Sequence, residues 1–137
     1  MNHSSKPEIR HEPPQAEQYL ALRVEAGLSP MSIAGAEAGL PRSCFAVTVY
    51  DGEQLVGMGR VIGDGGCFFQ VTDIAVKPSY QGRGLGKAIV REIRGFLDTV
   101  PQPSYVSLIA DGEAAGLYAQ FGFVPVMPES QGMFLRR

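Results

Sequence analysis

Three glycines at alternate positions, followed at once by a helical pattern, are the residues of this sequence best placed to do chemistry. Gly82, Gly84 and Gly86 lie in the run QGRGLGKAIV, at 81–90. Glycine has no Cβ, so the backbone can approach a ligand closely. The first amide N–H groups of a helix lack intrahelical partners and carry partial positive charge. The run therefore predicts a site for a phosphate or pyrophosphate, with a tightly packed turn as the structural alternative.

The spacing of these glycines excludes two common nucleotide-binding loops. A dinucleotide-binding fingerprint needs G-x-G-x-x-G, and no frame of the run provides it. A Walker A loop ends in Gly-Lys followed by Ser or Thr, whereas Gly86 and Lys87 precede Ala88. The remaining pattern is Q-x-x-G-x-G, which starts at Gln81 and leads into a helix.

A single acidic residue interrupts the apolar run just before the glycines. Asp73 lies within QVTDIAV, where a buried carboxylate is costly unless it is paired or protonated. Burial disfavours its ionised form, which makes Asp73 a candidate general base. The alternatives are a structural carboxylate bonded to nearby groups and an anchor for a substrate amine, and a chain of waters could replace the base altogether.

Periodicity and turn residues place the glycine run between a strand and a helix of an α+β domain. The predicted strands are 44–50, 54–63, 67–76 and 104–110, with a brief one at Glu8–His11 and a closing antiparallel pair in FVPVM and GMFLRR. The predicted helices are 16–28, 29–41, one from the glycine run to about 97, and a short one from a capping Asp111 to about 120. The strand 67–76 is apolar on both faces, so we expect it in the middle of the sheet. The strand 104–110 follows a helical crossover and should run parallel to it.

Length and composition indicate one ordinary globular domain. The chain has 137 residues and a net charge of -2, which disfavours a nucleic-acid partner. We assign 15–137 to a single domain and 1–14 to a flexible or short-strand N-terminus. Cys44 and Cys67 are read as free thiols, and no metal-ligand cluster is present. No apolar run could span a bilayer and no signal peptide is evident, so we expect no membrane partner and a cytoplasmic location.

Two motifs in the right order resemble the GNAT superfamily of acyl-CoA-dependent N-acetyltransferases. The run VKPSYQGRGLG looks like the cofactor motif of that family, Q-x-x-G-x-G after V-x-P. The segment DGEAAGLYAQFGF, at 111–123, resembles its N-x-x-A-x-x-x-Y-x-x-x-G-F helix, with Asp111 where the family often has Asn. The resemblance implies a central mixed, mostly antiparallel sheet flanked by helices, with the acyl-CoA between two splayed parallel strands.

The resemblance also implies which residues bind acetyl-CoA. Backbone amides of the glycine loop would hold the pyrophosphate, and a contact of Asp111 with the pantetheine arm is implied less firmly because of its departure from Asn. The arm would lie along the preceding strand, almost as an added strand. Arg83 or Lys87 could add a charge to a phosphate, or simply form a solvated helix face. The cofactor-binding set is Ile74, Ala75, Val76, Gln81, Gly82, Arg83, Gly84, Leu85, Gly86, Lys87 and Asp111.

The same resemblance assigns catalytic roles for direct attack of a neutral amine on the thioester. Tyr118 stands where the family has its usual general acid, and the ordinary phenol pKa of roughly 10 is close to that of a thiol leaving group. The alternative is an aromatic side chain that only packs beside Phe121 and Phe123. The amide of Val76 would stabilise the developing oxyanion. An acidic residue near the position of Asp73 acts as the base in some family members.

These inferences predict an N-acetyltransferase that moves an acetyl group from acetyl-CoA to a primary amine, without a metal. The acceptor is expected to be a small molecule, bound by 16–45 and the two C-terminal strands. Those exposed strands could also pair in a homodimer. Two alternatives stay open: a non-catalytic, acyl-CoA-binding regulatory domain, and an unrelated phosphate-binding α+β domain.

Overall fold

A five-stranded mixed sheet forms the centre of the protein in the computed structural model, which describes residues 6–137. The strands lie in chain order: β1 (Glu8–Arg10), β2 (Phe45–Asp51), β3 (Gln54–Gly63), β4 (Phe68–Val76) and β5 (Tyr105–Ser107). The first four pair antiparallel, and β5 joins β4 in parallel, as the helical crossover predicted. The fold class predicted from the sequence is therefore confirmed. The brief N-terminal strand exists as β1, whereas residues 1–5 lie outside the described residues.

Four helices cover the two faces of this sheet. They are α1 (Ala16–Glu25), α2 (Ile33–Gly39), α3 (Leu85–Leu97) and α4 (Ala115–Ala119), with single 3₁₀ turns at Leu40–Arg42 and Pro78–Tyr80. Ser32 begins α2, since its hydroxyl accepts the amide hydrogen of Gly35 at 2.9 Å. The predicted cap of α4 is wrong. Its N-cap is Ala114, and Asp111 contributes only a backbone carbonyl to the turn that precedes the helix.

Two apolar layers result, one on each face of the sheet. On one face, α3 buries Ile89, Ile93 and Leu97 against the strands. On the other, α1 and α2 bury a second cluster that includes Tyr19 and Leu22. Burial of this apolar surface is the main force that holds both helical layers to the sheet.

The prediction that 67–76 forms the middle of the sheet is wrong. The central strand is β3, which has partners along both edges and five consecutive buried residues. Burial along β4 instead alternates residue by residue. β4 is an inner strand, between β3 and β5, but it lies one place from the centre because β1 adds to β2 on the far side. β5 is also shorter than predicted and pairs only with Phe68–Gln70, so the rest of β4 has one neighbouring strand.

The predicted closing pair of C-terminal strands is also absent. FVPVM and GMFLRR have no regular secondary structure, and Val124 and Phe134 are exposed. A strand needs a partner for its backbone groups, and neither segment reaches another strand in the single chain. The homodimer expected from these segments therefore stays a prediction.

The strand β4 has one more residue than β3 over part of their pairing, which shifts the register between them. Arg60 on β3 faces Thr72, and Met58 faces Ala75, so that Asp73 and Ile74 together oppose Gly59. This is a β-bulge, which bends the strand and increases its twist. The bulge lies just beyond the point where β5 ends, so β4 bends where it also loses its parallel neighbour.

Candidate active site

The gap between β4 and the chain after β5 opens into a cavity of about 1150 Å³. One wall is 70–74 on β4, and the opposite wall contains Leu108, Ile109 and Asp111. The loop 27–31 between α1 and α2 and the C-terminal segment 132–137 complete the lining. The splayed parallel strands therefore create the space into which two reactants could enter.

The glycine loop lies between β4 and α3 and has the backbone conformation that its glycines allow. Gly82 and Gly84 have φ of 80° and 81°, in the left-handed region, and Gly84 is the N-cap of α3. The Gln81 side chain donates to the Val76 carbonyl at 3.0 Å, which ties the loop to the end of β4. The first amides of α3 begin directly after this turn and supply donors for an anion.

Arg83 is held within the loop by two contacts. Its guanidinium donates to the Ser79 carbonyl at 3.3 Å and lies 4.8 Å from the centre of the Tyr80 ring. Tyr80 in turn donates a hydrogen bond to the carboxylate of Asp51, at the tip of the β2–β3 hairpin. Sequence reasoning missed Tyr80 and Asp51, because a contact across 29 residues leaves no local pattern. Lys87 is exposed on α3.

The three strand residues assigned to the cofactor begin within the bulge, at Ile74, and continue beyond it to Val76. Ala75 is buried toward α1 and α2, whereas Ile74 and Val76 pack against the α3 layer. Val76 has Gly57 of β3 as its antiparallel partner. Along the other edge, no strand of the described chain pairs with this part of β4. That free edge is where an extended ligand could add to the sheet.

Tyr118 on α4 lines the cavity and is 9% exposed. Burial raises its pKa above the ordinary phenol value, and the charge of Asp111 raises it further. The phenol therefore stays protonated at neutral pH and can donate. Its ring also packs edge-on against Phe123, with centroids 6.2 Å apart, whereas Phe121 contributes a carbonyl to Arg94. The helix α4 lies close to the glycine loop, since a Cβ at Gly86 would be 3.8 Å from Leu117.

Asp73 lines the same cavity, but its carboxylate is already engaged. Tyr19 donates to one oxygen at 2.9 Å and Arg60 Nε to the same oxygen at 2.8 Å, while Arg23 Nη1 donates to the other. The Asp73 side chain is 3% exposed. A carboxylate that accepts from two guanidinium groups and a phenol is poorly placed to take a proton from a substrate. The geometry thus favours the structural alternative for Asp73 over the role of general base, which stays a prediction.

Sequence reasoning did not identify Tyr19, Arg23 and Arg60 as part of the site. The sequence contained one signal, because Arg23 lies four residues after Tyr19 and therefore on the same face of α1. In the structure Arg23 is 6% exposed. An arginine at a core-facing helical position needs a buried acidic partner. Asp73 was the acidic residue of the apolar strand, but nothing local showed that the two would meet.

We also searched residues 6–137 for a metal site, a disulfide and a membrane-spanning helix. No group of three His, Cys, Asp or Glu side chains in that range could hold a metal ion. Cys44 and Cys67 are both free. None of the helices in the described part of the chain is long and apolar enough to cross a membrane.

Comparison with known proteins identifies the family. Residues 41–125 match the sequence profile described as "Acetyltransferase (GNAT) domain". The chain belongs to the GNAT family of acetyltransferases. This range includes β2 to α4, and so both the glycine loop and Tyr118. The family resemblance drawn from the two motifs is confirmed.

Solved GNAT structures agree with this fold over nearly the whole chain. A probable acetyltransferase of unknown function from methicillin-resistant Staphylococcus aureus is 48% identical, with a TM-score of 0.92, covering 96% of this chain and 99% of that one. A GNAT family acetyltransferase from Streptococcus pneumoniae is 27% identical with a TM-score of 0.77, covering 96% and 98%.

Curated GNAT relatives are similar over a shorter stretch. "GCN5-related N-acetyltransferase 2, chloroplastic" from Arabidopsis thaliana is 36% identical over 83 residues, which are 60% of this chain and 31% of that protein. A histone acetyltransferase from Glycine max is 34% identical over 60% of this chain and 35% of its own length. The matched region thus spans about a third of these relatives.

Proposed function

We propose that this GNAT protein transfers the acetyl group of acetyl-CoA to the primary amine of a small molecule, by direct attack within a ternary complex. The observation that carries the proposal is the cavity between β4 and the chain that follows β5, with Tyr118, whose phenol stays protonated at neutral pH, in its wall. The glycine loop begins at the end of the same β4 strand. The loop proposed to bind the cofactor therefore continues from a strand that lines the cavity, although the loop residues themselves are not part of the lining.

The residues of the loop and strand fit the two halves of coenzyme A. Amides of 82–86 would bind the pyrophosphate, with Gln81 holding the turn against β4 and Arg83 or Lys87 adding charge. The free edge of β4 at Ile74, Ala75 and Val76 would pair with the amide groups of the pantetheine arm. Asp111, on the opposite wall, would face that arm. A GNAT N-acetyltransferase from Escherichia coli with the same fold has been solved in complex with CoA, with 24% identity and a TM-score of 0.63.

The reaction needs two proton transfers and one stabilised charge. The neutral amine nitrogen forms a bond to the thioester carbon, and the amide of Val76 would stabilise the oxyanion. The carbon–sulfur bond then breaks, and Tyr118 would give its proton to the thiolate. The proton released by the amine passes to water or to a base, for which Asp73 was the candidate and is disfavoured by its contacts.

The charge of the cavity favours a small acceptor over a basic protein tail. Its lining contains Arg23, Arg136 and Arg137 and two acidic side chains, Asp73 and Asp111. Asp73 is ion-paired with Arg23 and with Arg60 behind it, so of the two only Asp111 is left to attract a cation. A polycationic tail would meet repulsion in such a cavity. For this reason we do not transfer the histone acceptor named for the Glycine max relative.

The direct test is release of free thiol from acetyl-CoA with a panel of primary amines. Turnover with at least one small amine supports the proposal. If calorimetry shows coenzyme A binding but no amine is acetylated, the regulatory alternative replaces it. Absence of binding at millimolar coenzyme A would exclude both.

A further inference from the structure

We propose that Asp73 is a positioning residue: held by Tyr19, Arg23 and Arg60, it fixes the bulge of β4 and couples that bulge to the acceptor-side loop 27–31. The inference rests on the proposed function of the cavity. It gives Asp73 a role in the reaction without making it the base. Three features of the structure support it.

The first feature is the backbone of Asp73 itself. Its φ is 62°, the only positive φ of a non-glycine residue in the described chain. Such a conformation is unfavourable for a residue with a Cβ and persists only where surrounding contacts enforce it. Here it occurs at the bulge, where Asp73 and Ile74 oppose Gly59. The side-chain contacts of Asp73 are therefore well placed to maintain the bulge.

The second feature is the number and origin of those contacts. Tyr19 and Arg23 reach Asp73 from α1, and Arg60 reaches it from β3. The side chains of Arg23 and Arg60 are 7% and 12% exposed. Two buried cations share one carboxylate, so its removal would leave both without their charge partner. Such a cluster holds its members in one arrangement.

The third feature is a continuation of this cluster to the cavity wall. Arg23 donates from Nε to the Ser29 carbonyl at 2.8 Å and from Nη2 to the Ser29 hydroxyl at 3.1 Å. Ser29 lies in the loop 27–31 that lines the cavity. At the other end, Arg60 donates to the Ser43 hydroxyl at 3.0 Å. One guanidinium therefore connects the bulge on the cofactor strand with the loop on the acceptor side.

The position of the bulge links this cluster to the chemistry. It includes Ile74 and immediately precedes Ala75 and Val76, and the backbone of these three residues would meet the acetyl-CoA arm and thioester. A bulge changes the direction of the strand that follows it. Displacement of these amides would lower kcat, and release of Ser29 would raise KM for the amine. KM for acetyl-CoA should change less, because the amides proposed to bind its pyrophosphate belong to 82–86, which contribute none of the hydrogen bonds to Asp73.

The first experiment compares Asp73→Asn and Arg60→Gln by steady-state kinetics across pH. We expect each to lower kcat at least tenfold and to raise KM for the amine, with the shape of the pH profile unchanged. The double variant should be little worse than either single variant, because both break one cluster. Arg10→Gln, which removes an ion-paired arginine at β1 outside the cavity, is the matched control and should retain parent kinetics.

The kinetics of these two variants distinguish a general base from a positioning residue at Asp73. If Asp73→Asn removes the acidic limb of the pH profile while Arg60→Gln retains the parent kcat, Asp73 is the base and the proposal fails. Parent kinetics in both variants would also overturn it. Should either variant not fold, Ser29→Ala and Ser43→Ala each remove one hydroxyl from the ends of the cluster. Ser29→Ala should raise KM for the amine several-fold and Ser43→Ala should raise it less, whereas equal effects would contradict the coupling.

A second measurement does not depend on turnover. Hydrogen exchange of the amides of Ala75 and Lys77, which face β3, should speed up at least tenfold in Asp73→Asn relative to the parent, while amides in α3 exchange as before. Unchanged exchange at these two amides would overturn the proposal. If no amine is acetylated and exchange nevertheless rises as expected, the proposed function fails but the structural role of the cluster stands.

Discussion

At the scale of single residues, hydrogen bonding and ion pairing distinguish Tyr118 from Asp73. Tyr118 and Asp73 both line the cavity and both could move protons. Tyr118 has a raised pKa, and its hydroxyl donates no side-chain hydrogen bond within residues 6–137, whereas Asp73 accepts three hydrogen bonds. The phenol is therefore available to a substrate, and the carboxylate serves its protein neighbours.

Tyr118→Phe should lower kcat about 100-fold and leave the affinity for coenzyme A unchanged, because it removes one proton donor and little packing. In the parent, activity that needs the protonated phenol is lost as pH rises through its pKa. Since burial raises that pKa, the loss should occur at a pH above the ordinary phenol value. Kinetics over pH with calorimetry of coenzyme A binding measures both effects. A fully active Tyr118→Phe would contradict the role of general acid.

At the scale of elements, glycines decide how closely the strands, the loop and α3 approach each other. A Cβ at Gly59 would lie 2.8 Å from atoms of both Ile74 and Ile89, so the strand β3 touches α3 and the bulge at this point. Gly84 instead has open space around its missing Cβ, and its φ of 81° is what excludes other residues. The same residue type therefore serves packing in one element and conformation in another.

Gly59→Ala should reduce the free energy of unfolding by about 1–3 kcal/mol, because the added methyl group overpacks the contact between β3 and α3. Gly95→Ala is the control, since its Cβ would meet nothing within 4 Å and it lies inside α3. That change should stabilise the protein by roughly 0.5–1 kcal/mol. Urea denaturation measures both, and equal effects of the two changes would contradict the packing argument.

Gly84→Ala should weaken coenzyme A binding about tenfold, because a left-handed conformation costs a residue with a Cβ roughly 1–2 kcal/mol. The loop would then relax away from the shape that presents its amides. Gly65→Ala provides the comparison: Gly65 has φ of 83°, has equally open surroundings and lies in the turn between β3 and β4. It should cost similar stability while calorimetry shows unchanged coenzyme A affinity. Loss of affinity in both variants would refute a specific role for the loop.

At the scale of the whole molecule, the cavity combines segments from both ends of the chain. The loop 27–31, the wall 70–74 and the terminal segment 132–137 meet around it. Its charge is therefore a property of the assembled fold, with arginines outnumbering acidic side chains. No stretch of the sequence taken alone displays that balance.

We expect primary amines that carry a carboxylate to have a lower KM than amides of the same size, and polyamines to be the poorest acceptors, because the lining is richer in arginine than in acidic groups. Thiol-release assays with an amino acid and its amide provide the matched pair. The difference should shrink as salt concentration rises, since exposed charges are screened. A polyamine as the preferred acceptor would contradict this account of the cavity.

The sequence by itself predicted the family and the order of the elements from β1 to α4. These follow from local features: apolar periodicity, Asp51-Gly52 and the other turns, and glycines at fixed spacing before a helix. Tyr118 was found in the same way, through the residues around it in one short helix. Local patterns survive folding because backbone conformation depends first on near neighbours.

Only the tertiary structure decided which side chains contact Asp73 and how the sheet ends. Tyr19, Arg23 and Arg60 reach Asp73 from 54, 50 and 13 residues away, and no periodicity encodes such a meeting. The early end of β5, which opens the cavity, likewise depends on where two distant segments cease to pair. These features arise from contacts between elements, whose geometry is fixed when the whole core packs and not before.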